Sequence, residues 1–82
     1  MVTITLRPSG DKGRDVRKLR RIHGTLVSCP GKDHFSLQIY EAGRFFLLEF
    51  PNESTGLTAE LMTRLIELAG EENIRVELIH IQ

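Results

Sequence analysis

The sequence predicts an α+β fold, in which four β-strands and two α-helices follow one another in the order β-α-β-β-α-β. Three observations support this prediction. Apolar and polar residues alternate over residues 2–7 and 35–40, which is typical of half-buried strands. Apolar residues recur every three or four positions over residues 15–28 and 58–69, as they do in amphipathic helices. Pro and Gly lie between these segments, where the chain is expected to turn.

The composition is that of one small globular domain. The chain has 82 residues, of which 40% are hydrophobic and 27% are charged, and this size supports a single hydrophobic core. No apolar run approaches the length of a membrane span. Cys29 is the only cysteine, so no internal disulfide can form, which fits a cytoplasmic protein.

The first helix separates an apolar face from a basic face. Pro30-Gly31 is expected to end this helix with a sharp turn, in which Gly31 is free to take a positive φ angle. Asp11 or Asp15 is expected to cap its N-terminus. At 100° per residue, the apolar face is predicted to contain Val16, Leu19, Ile22, His23, Leu26 and Val27. The basic face contains Arg14, Arg17, Lys18 and Arg21.

The charge is distributed unevenly along the chain. Residues 1–40 contain eight Lys and Arg against three Asp, a net charge of +5, whereas residues 41–82 contain three Arg against eight Glu, a net charge of −5. One interpretation is that the two halves neutralise each other across the fold. The other is that the basic face of the first helix contacts phosphate or an acidic partner, and any contact with DNA is then expected to be weak and non-specific.

The remaining elements follow from local patterns. A short hairpin over residues 41–44, with Gly43 as its left-handed residue, joins the second and third strands. The third strand, residues 45–50, is apolar on both faces except at Glu49, which favours a central strand. Thr58 is expected to cap the second helix, and Gly70 to end it. A last strand is predicted over residues 74–81.

This order of elements matches the split βαβ or ferredoxin-like two-layer sandwich. Its sheet is expected to be four-stranded and mainly antiparallel, with both helices on one face. The side chains expected to face the helices are Val2, Ile4, Leu6, Phe35, Leu37, Ile39, Phe46, Leu48, Phe50, Ile74, Val76 and Leu78. The side chains predicted to form a partner-binding patch on the open face are Tyr40, Phe45, Leu47, Ile79 and Ile81. A strand register shifted by one residue is the alternative, and it would bury Phe45 and Leu47 instead.

Three segments carry a resemblance to a known family. The first reads Leu19-Arg20-Arg21-Ile22-His23-Gly24, followed by Ser28-Cys29-Pro30-Gly31-Lys32-Asp33. The second reads Tyr40-Glu41-Ala42-Gly43-Arg44-Phe45-Phe46-Leu47-Leu48-Glu49-Phe50-Pro51, and the third reads Leu68-Ala69-Gly70-Glu71-Glu72-Asn73-Ile74. Together they resemble the C-terminal domain of the bacterial DNA polymerase III alpha subunit. The sequence departs from that family at Cys29, where a ring is more usual before Pro-Gly.

The resemblance implies a docking role in DNA replication. In that family the domain follows the polymerase, clamp-binding and OB-fold regions and carries no polymerisation chemistry. The C-terminal region binds the tau subunit of the clamp loader and so couples the polymerase to the replisome. Residues 1–82 are accordingly expected to be a single C-terminal interaction domain, excised from a DNA-directed DNA polymerase whose metal-binding aspartates lie elsewhere.

The residues themselves predict neither catalysis nor a cofactor. His23, His34 and His80 are scattered, and one cysteine cannot complete a zinc site with them. His23 is expected to be a hydrogen-bonded residue at the edge of the core, and Cys29 a structural thiol. No phosphate-binding loop and no Ser-His-Asp pattern is present in the sequence. We therefore expect a non-enzymatic domain without metal or cofactor.

Two other classes of protein share the predicted order of elements. An RNA-recognition motif is disfavoured because Leu47 and Thr3 stand where it needs aromatic rings for stacking on bases. An ACT-like regulatory domain that binds a small molecule is the main alternative, because the Gly-containing loop over residues 7–13 is similar to its ligand-binding loop. A second copy of the chain is also retained as a possible partner.

Overall fold

The computed structural model describes residues 1–77 as a four-stranded β-sheet with two α-helices packed against it. The strands are β1 (Val2–Leu6), β2 (Phe35–Glu41), β3 (Arg44–Glu49) and β4 (Ile74–Val76), and the helices are α1 (Lys12–Ser28) and α2 (Ala59–Ala69). A short 3₁₀ helix, Glu71–Asn73, precedes β4. The predicted α+β class and the order β-α-β-β-α-β are confirmed. Four residues of the predicted last strand, Leu78, Ile79, His80 and Ile81, lie outside the described residues.

The strand order is β3-β2-β1-β4. β1 pairs in parallel with β2 and antiparallel with β4, and β2 pairs antiparallel with β3, so the sheet is mixed and mainly antiparallel, as predicted. The ferredoxin-like arrangement was wrong in one respect. A split βαβ unit has another strand between its two parallel strands, whereas β1 and β2 are directly hydrogen-bonded here. The helical pattern of α1 does not distinguish the two topologies, because a crossover helix is required in both.

Capping residues set the ends of the helices. α1 begins at Lys12 because Asp11 is its N-cap, and the Asp11 carboxylate accepts a hydrogen bond of 3.1 Å from the Arg14 N–H. Thr58 caps α2 as predicted, accepting a hydrogen bond of 3.1 Å from the Leu61 N–H. Gly70 ends α2 with a φ angle of 89°, also as predicted.

One hydrophobic core lies between the sheet and both helices. Ile22 and Leu26 of α1 and Leu61 and Leu65 of α2 are fully buried in it. The residues that complete this core from the sheet and from the end of α2 are Val2, Ile4, Leu6, Phe35, Leu37 and Ala69. Because both helices share this cluster, they lie on the same face of the sheet.

β3 is an edge strand, which corrects the prediction of a central one. Among residues 1–77 it is hydrogen-bonded to β2 alone, and it lies at the end of the strand order. All six of its residues are exposed. The apolar character of both its faces therefore reflects two uncovered surfaces and not burial between two layers.

Candidate interaction surface

The open face of the sheet carries an apolar patch at the paired ends of β2 and β3. Phe45 is opposite Tyr40 in the strand register, with a ring-centroid distance of 5.8 Å, and Leu47 is opposite Gln38. Phe45 and Leu47 are 58% and 51% exposed, and Tyr40 is half-buried. The structure thus brings together Tyr40, Phe45 and Leu47 as predicted, and the shifted register is excluded.

Within residues 1–77, polar side chains lie beside this patch on the open face. Thr3 and Ser36 share a hydrogen bond of 3.1 Å, and the Thr5 hydroxyl donates one of 3.4 Å to Gln38. The other two residues predicted for the patch, Ile79 and Ile81, lie outside the described residues.

The helix side of β3 is also apolar and uncovered. Phe46 is opposite Ile39, and Leu48 is opposite Leu37, so both side chains point toward the helix layer. They were expected to be covered by the helices, but Phe46 is 48% exposed and Leu48 is 38% exposed. The sequence predicted correctly which way they point, but the helices do not extend over the edge strand.

One flank of α1 faces this uncovered side of β3. With Ile22 directed into the core, the 100° rotation per residue places Val16, His23 and Val27 on the same flank. The His23 ring lies 5.0 Å from the ring of Phe50, the residue that follows β3, so this flank is on the β3 side. Val16 is 47% exposed and Val27 is 42% exposed. Part of the predicted apolar face of α1 is therefore exposed to solvent and not buried in the core.

We call the surface between α1 and β3 the α1–β3 groove. It comprises Val16 and Leu19 of α1, Ile39 of β2, and Phe46 and Leu48 on the helix side of β3, where Phe46 is opposite Ile39 in the strand register. At the N-terminal end of α1 the groove adjoins an open cavity of about 500 Å³. Val16, Leu19 and Ile39 line that cavity too. The residues that line the rest of the cavity include Leu6, Arg7, Lys12, Asp15, Tyr40 and Glu41.

Charged residues surround the cavity. Lys12 Nζ lies 3.5 Å from Glu41 Oε1, and the Arg7 guanidinium lies 5.1 Å from the centre of the Tyr40 ring. Hydrogen bonds from Ser9, through its side chain and its backbone N–H, lower the pKa of Asp15. The cavity joins an apolar interior to a rim of mixed charge, a combination that is typical of ligand sites. Sequence reasoning had considered only the loop over residues 7–13 and did not identify the cavity.

The basic stripe of α1 forms as predicted. Arg14, Arg17 and Arg21 are exposed, and Lys18 is half-buried. Within residues 1–77, none of these four cations lies within 4.0 Å of a carboxylate; the ion pairs there are Lys12–Glu41, His23–Glu53, Arg64–Glu60 and Arg75–Glu77. In this range of residues, direct ion pairs with the second half of the chain therefore do not neutralise the stripe.

His23 and Cys29 both make contacts that hold the fold together. A hydrogen bond of 2.6 Å joins His23 Nε2 to Glu53 Oε2 and attaches the loop after β3 to α1, which confirms the expected role of His23. Cys29 is half-buried and packs against the core. In the part of the chain that the structure describes, no three His, Cys, Asp or Glu residues are grouped to hold a metal ion. No helix in that part has the length and apolar character needed for a membrane span.

Comparisons with known proteins identify no relative of this chain. No family model matches it, and neither the curated proteins nor the solved structures contain a match.

Proposed function

We propose that this domain is a non-catalytic protein-docking module of a bacterial DNA polymerase III alpha subunit. It acts in DNA replication in the cytoplasm and binds the tau subunit of the clamp loader. The observation that supports docking is β3, an edge strand with four consecutive large apolar side chains that are 38–58% exposed. The choice of replication and of tau rests on the resemblance described above.

An uncovered strand of this kind is unusual in a monomer. Edge strands present unpaired backbone N–H and C=O groups, and most proteins protect them with charges, proline or a bulge. β3 has charges only at its ends, at Arg44 and Glu49. Contiguous apolar patches on soluble proteins commonly mark interaction sites. A partner that covers β3 would remove both apolar faces and the free edge from water.

The test is binding of a purified tau fragment to this domain, measured by isothermal titration calorimetry. The variant Phe45→Ser with Leu47→Ser is expected to weaken binding at least about tenfold, which corresponds to about 1.4 kcal/mol. Its melting temperature should change little, because both side chains are already exposed. Ile66→Ser is the matched control, since Ile66 is 39% exposed on α2, away from β3.

Two results would oppose this proposal. The absence of tau binding by the unmodified domain would exclude the proposed partner. Failure of the double variant to fold would show that Phe45 and Leu47 belong to the core.

A small-molecule regulatory domain is the second candidate, and the cavity of about 500 Å³ beside α1 favours it. A thermal-shift screen of amino acids and nucleotides distinguishes the two functions. A true ligand present at 100 times its dissociation constant stabilises the domain by about 2.7 kcal/mol. Saturable stabilisation that is lost in Val16→Glu would support ligand binding in the cavity. No stabilisation by any compound, together with tau binding, would support docking.

A further inference from the structure

We infer that the α1–β3 groove binds an acidic amphipathic helix of a partner protein, with one large apolar side chain of that helix inserted into the adjoining cavity. This inference deepens the proposed docking function and rests on it. It adds to the open-face patch tested above a second contact surface, the helix side of β3, and it names the chemistry of the segment bound there.

The shape of the groove fits a helix. The helix layer leaves Phe46 and Leu48 uncovered, and a helix body about 10 Å wide spans about two strands, which are about 4.8 Å apart. Phe46 and Leu48 are two residues apart, or about 6.8 Å along the strand. Successive helical turns are about 5.4 Å apart, so two neighbouring turns can each contact one of these side chains. A third helix would thus extend the existing layer over β3.

The cavity provides a place for an anchoring side chain. Val16, Leu19 and Ile39 belong both to the groove and to the cavity wall, so a side chain that enters the cavity is continuous with a helix lying in the groove. A volume of about 500 Å³ accommodates a Phe or Leu side chain. Binding sites of this kind commonly use a few apolar anchors placed in pockets.

The charge around the groove is mixed, with an excess of cations. Asp15 and Glu41 line the adjoining cavity, Glu41 is paired with Lys12 at 3.5 Å, and Glu41 is opposite Arg44 in the strand register. The rotation of α1 places Lys12 and Arg20 on the same flank as Val16. Arg44 shares the helix side of β3 with Phe46, because alternate residues of a strand point to the same face. Neither Arg20 nor Arg44 forms an ion pair within residues 1–77. Glu side chains along the edges of a docked helix would meet Arg20 and Arg44.

A second copy of the domain fits the groove less well. Symmetric antiparallel pairing of two β3 strands requires a two-fold axis perpendicular to the sheet, which places both helix layers on the same side. Phe46 and Leu48 of both copies would then lie together in one wide, uncovered gap. α2 of either copy cannot fill this gap, because it buries Leu61 and Leu65 in the core of its own domain.

The experiment uses a synthetic helical peptide of about 18 residues, or about 27 Å, with Leu and Phe along one face and Glu along both edges. A second peptide, in which every Glu is replaced by Lys, is the charge control. Binding of each labelled peptide to the full 82-residue chain is measured by fluorescence anisotropy. We expect the acidic peptide to bind at least about tenfold more tightly than its lysine counterpart, a difference of about 1.4 kcal/mol.

Two double variants show which face of β3 binds the acidic peptide. Phe46→Ser with Leu48→Ser, on the helix side, should weaken binding of the acidic peptide at least about tenfold. Phe45→Ser with Leu47→Ser, on the open face, should leave it within about twofold. Val16→Glu changes the α1 side of the groove at a position that is 47% exposed. It should also weaken binding, and it tests the groove if the helix-side variant does not fold.

Several outcomes would overturn the inference. Equal binding of the two peptides would exclude charge recognition, and stronger loss in the open-face variant would indicate strand addition or docking on the other face. A dimer in analytical ultracentrifugation that dissociates in the helix-side variant would assign the groove to a second copy.

If tau binds but only the open-face variant weakens its binding, the docking function stands and the groove proposal fails. If the acidic peptide binds as expected but tau does not, the groove proposal stands and the proposed partner is wrong.

Discussion

At the scale of single residues, the tightest constraint lies where the loop after α1 crosses the loop before α2. A Cβ atom on Gly31 would lie 2.6 Å from the Thr55 carbonyl oxygen and 2.7 Å from the Gly56 backbone nitrogen. The Gly56 N–H donates a hydrogen bond of 2.9 Å to the Cys29 carbonyl oxygen. The sequence indicated that Gly31 is free to take a positive φ angle in the turn after α1, but it does not use this freedom: the positive-φ glycines within residues 1–77 are Gly10, Gly43 and Gly70. Glycine is needed at position 31 because two backbones meet there.

Gly31→Ala is therefore expected to destabilise the domain. The added methyl group must displace backbone atoms, and such overpacking typically costs about 1–3 kcal/mol. The measurement is the free energy of unfolding from urea denaturation. Gly24→Ala is the matched control: Gly24 lies within α1, and a Cβ atom there meets nothing within 4 Å. That variant should be more stable by about 0.5–1 kcal/mol. Equal changes in the free energy of unfolding for the two variants would contradict the close approach of the two loop backbones at Gly31.

At the scale of secondary-structure elements, the two helices contribute unequally to the core. The apolar stripes of α1 and α2 look alike in the sequence, and Leu19 and Leu65 both lie near the middle of them. In the structure Leu65 is fully buried, whereas Leu19 is half-buried beside the open cavity. The difference arises because α1 leaves one flank free, while α2 packs its apolar residues into the closed part of the core.

We expect Leu65→Ala to cost about 2–5 kcal/mol, the range for removing a fully buried leucine side chain. Leu19→Ala should cost clearly less, because its side chain already contacts water. Thermal and urea unfolding of the two variants, measured under the same conditions, checks this order. A larger loss of stability in Leu19→Ala than in Leu65→Ala would mean that the faces of α1 are assigned incorrectly.

At the scale of the whole molecule, the separation of charge persists after folding. The first half of the chain has a net charge of +5, and the stripe of Arg14, Arg17, Lys18 and Arg21 lies on α1 without ion pairs among residues 1–77. A stripe of this kind attracts phosphate groups without selecting a sequence. It is separate from the α1–β3 groove, because the rotation of the helix places it on the opposite flank.

We expect the stripe to bind duplex DNA only weakly, with a dissociation constant of about 10⁻⁴–10⁻⁶ M, as non-specific contacts do. Fluorescence anisotropy at low and high salt checks this, because binding through phosphates weakens steeply as salt rises. Arg17→Glu with Lys18→Glu should abolish the binding. The helix-side variant Phe46→Ser with Leu48→Ser is the control and should leave it unchanged. Tight, sequence-dependent binding would contradict the expectation.

The sequence by itself determined the elements and the direction of their side chains. Thr58 and Gly70 as helix caps, Gly43 as the left-handed hairpin residue and the outward direction of Phe45 and Leu47 were all predicted correctly. These features depend on interactions between residues close together in the chain, such as a cap bonding to the first turn of its helix. Local periodicity is therefore enough to identify them.

Only the tertiary structure decided which strands are neighbours and which surfaces remain uncovered. A run of apolar residues such as that of β3 is found both in a strand buried between two layers and in an edge strand exposed on both faces. The sequence of a strand shows which of its faces are apolar, but it does not show whether another element covers them. Likewise, the pattern of α1 does not show that one flank extends beyond the core. The α1–β3 groove and its cavity arise from the relative positions of α1, β2 and β3, which depend on contacts between residues far apart in the chain.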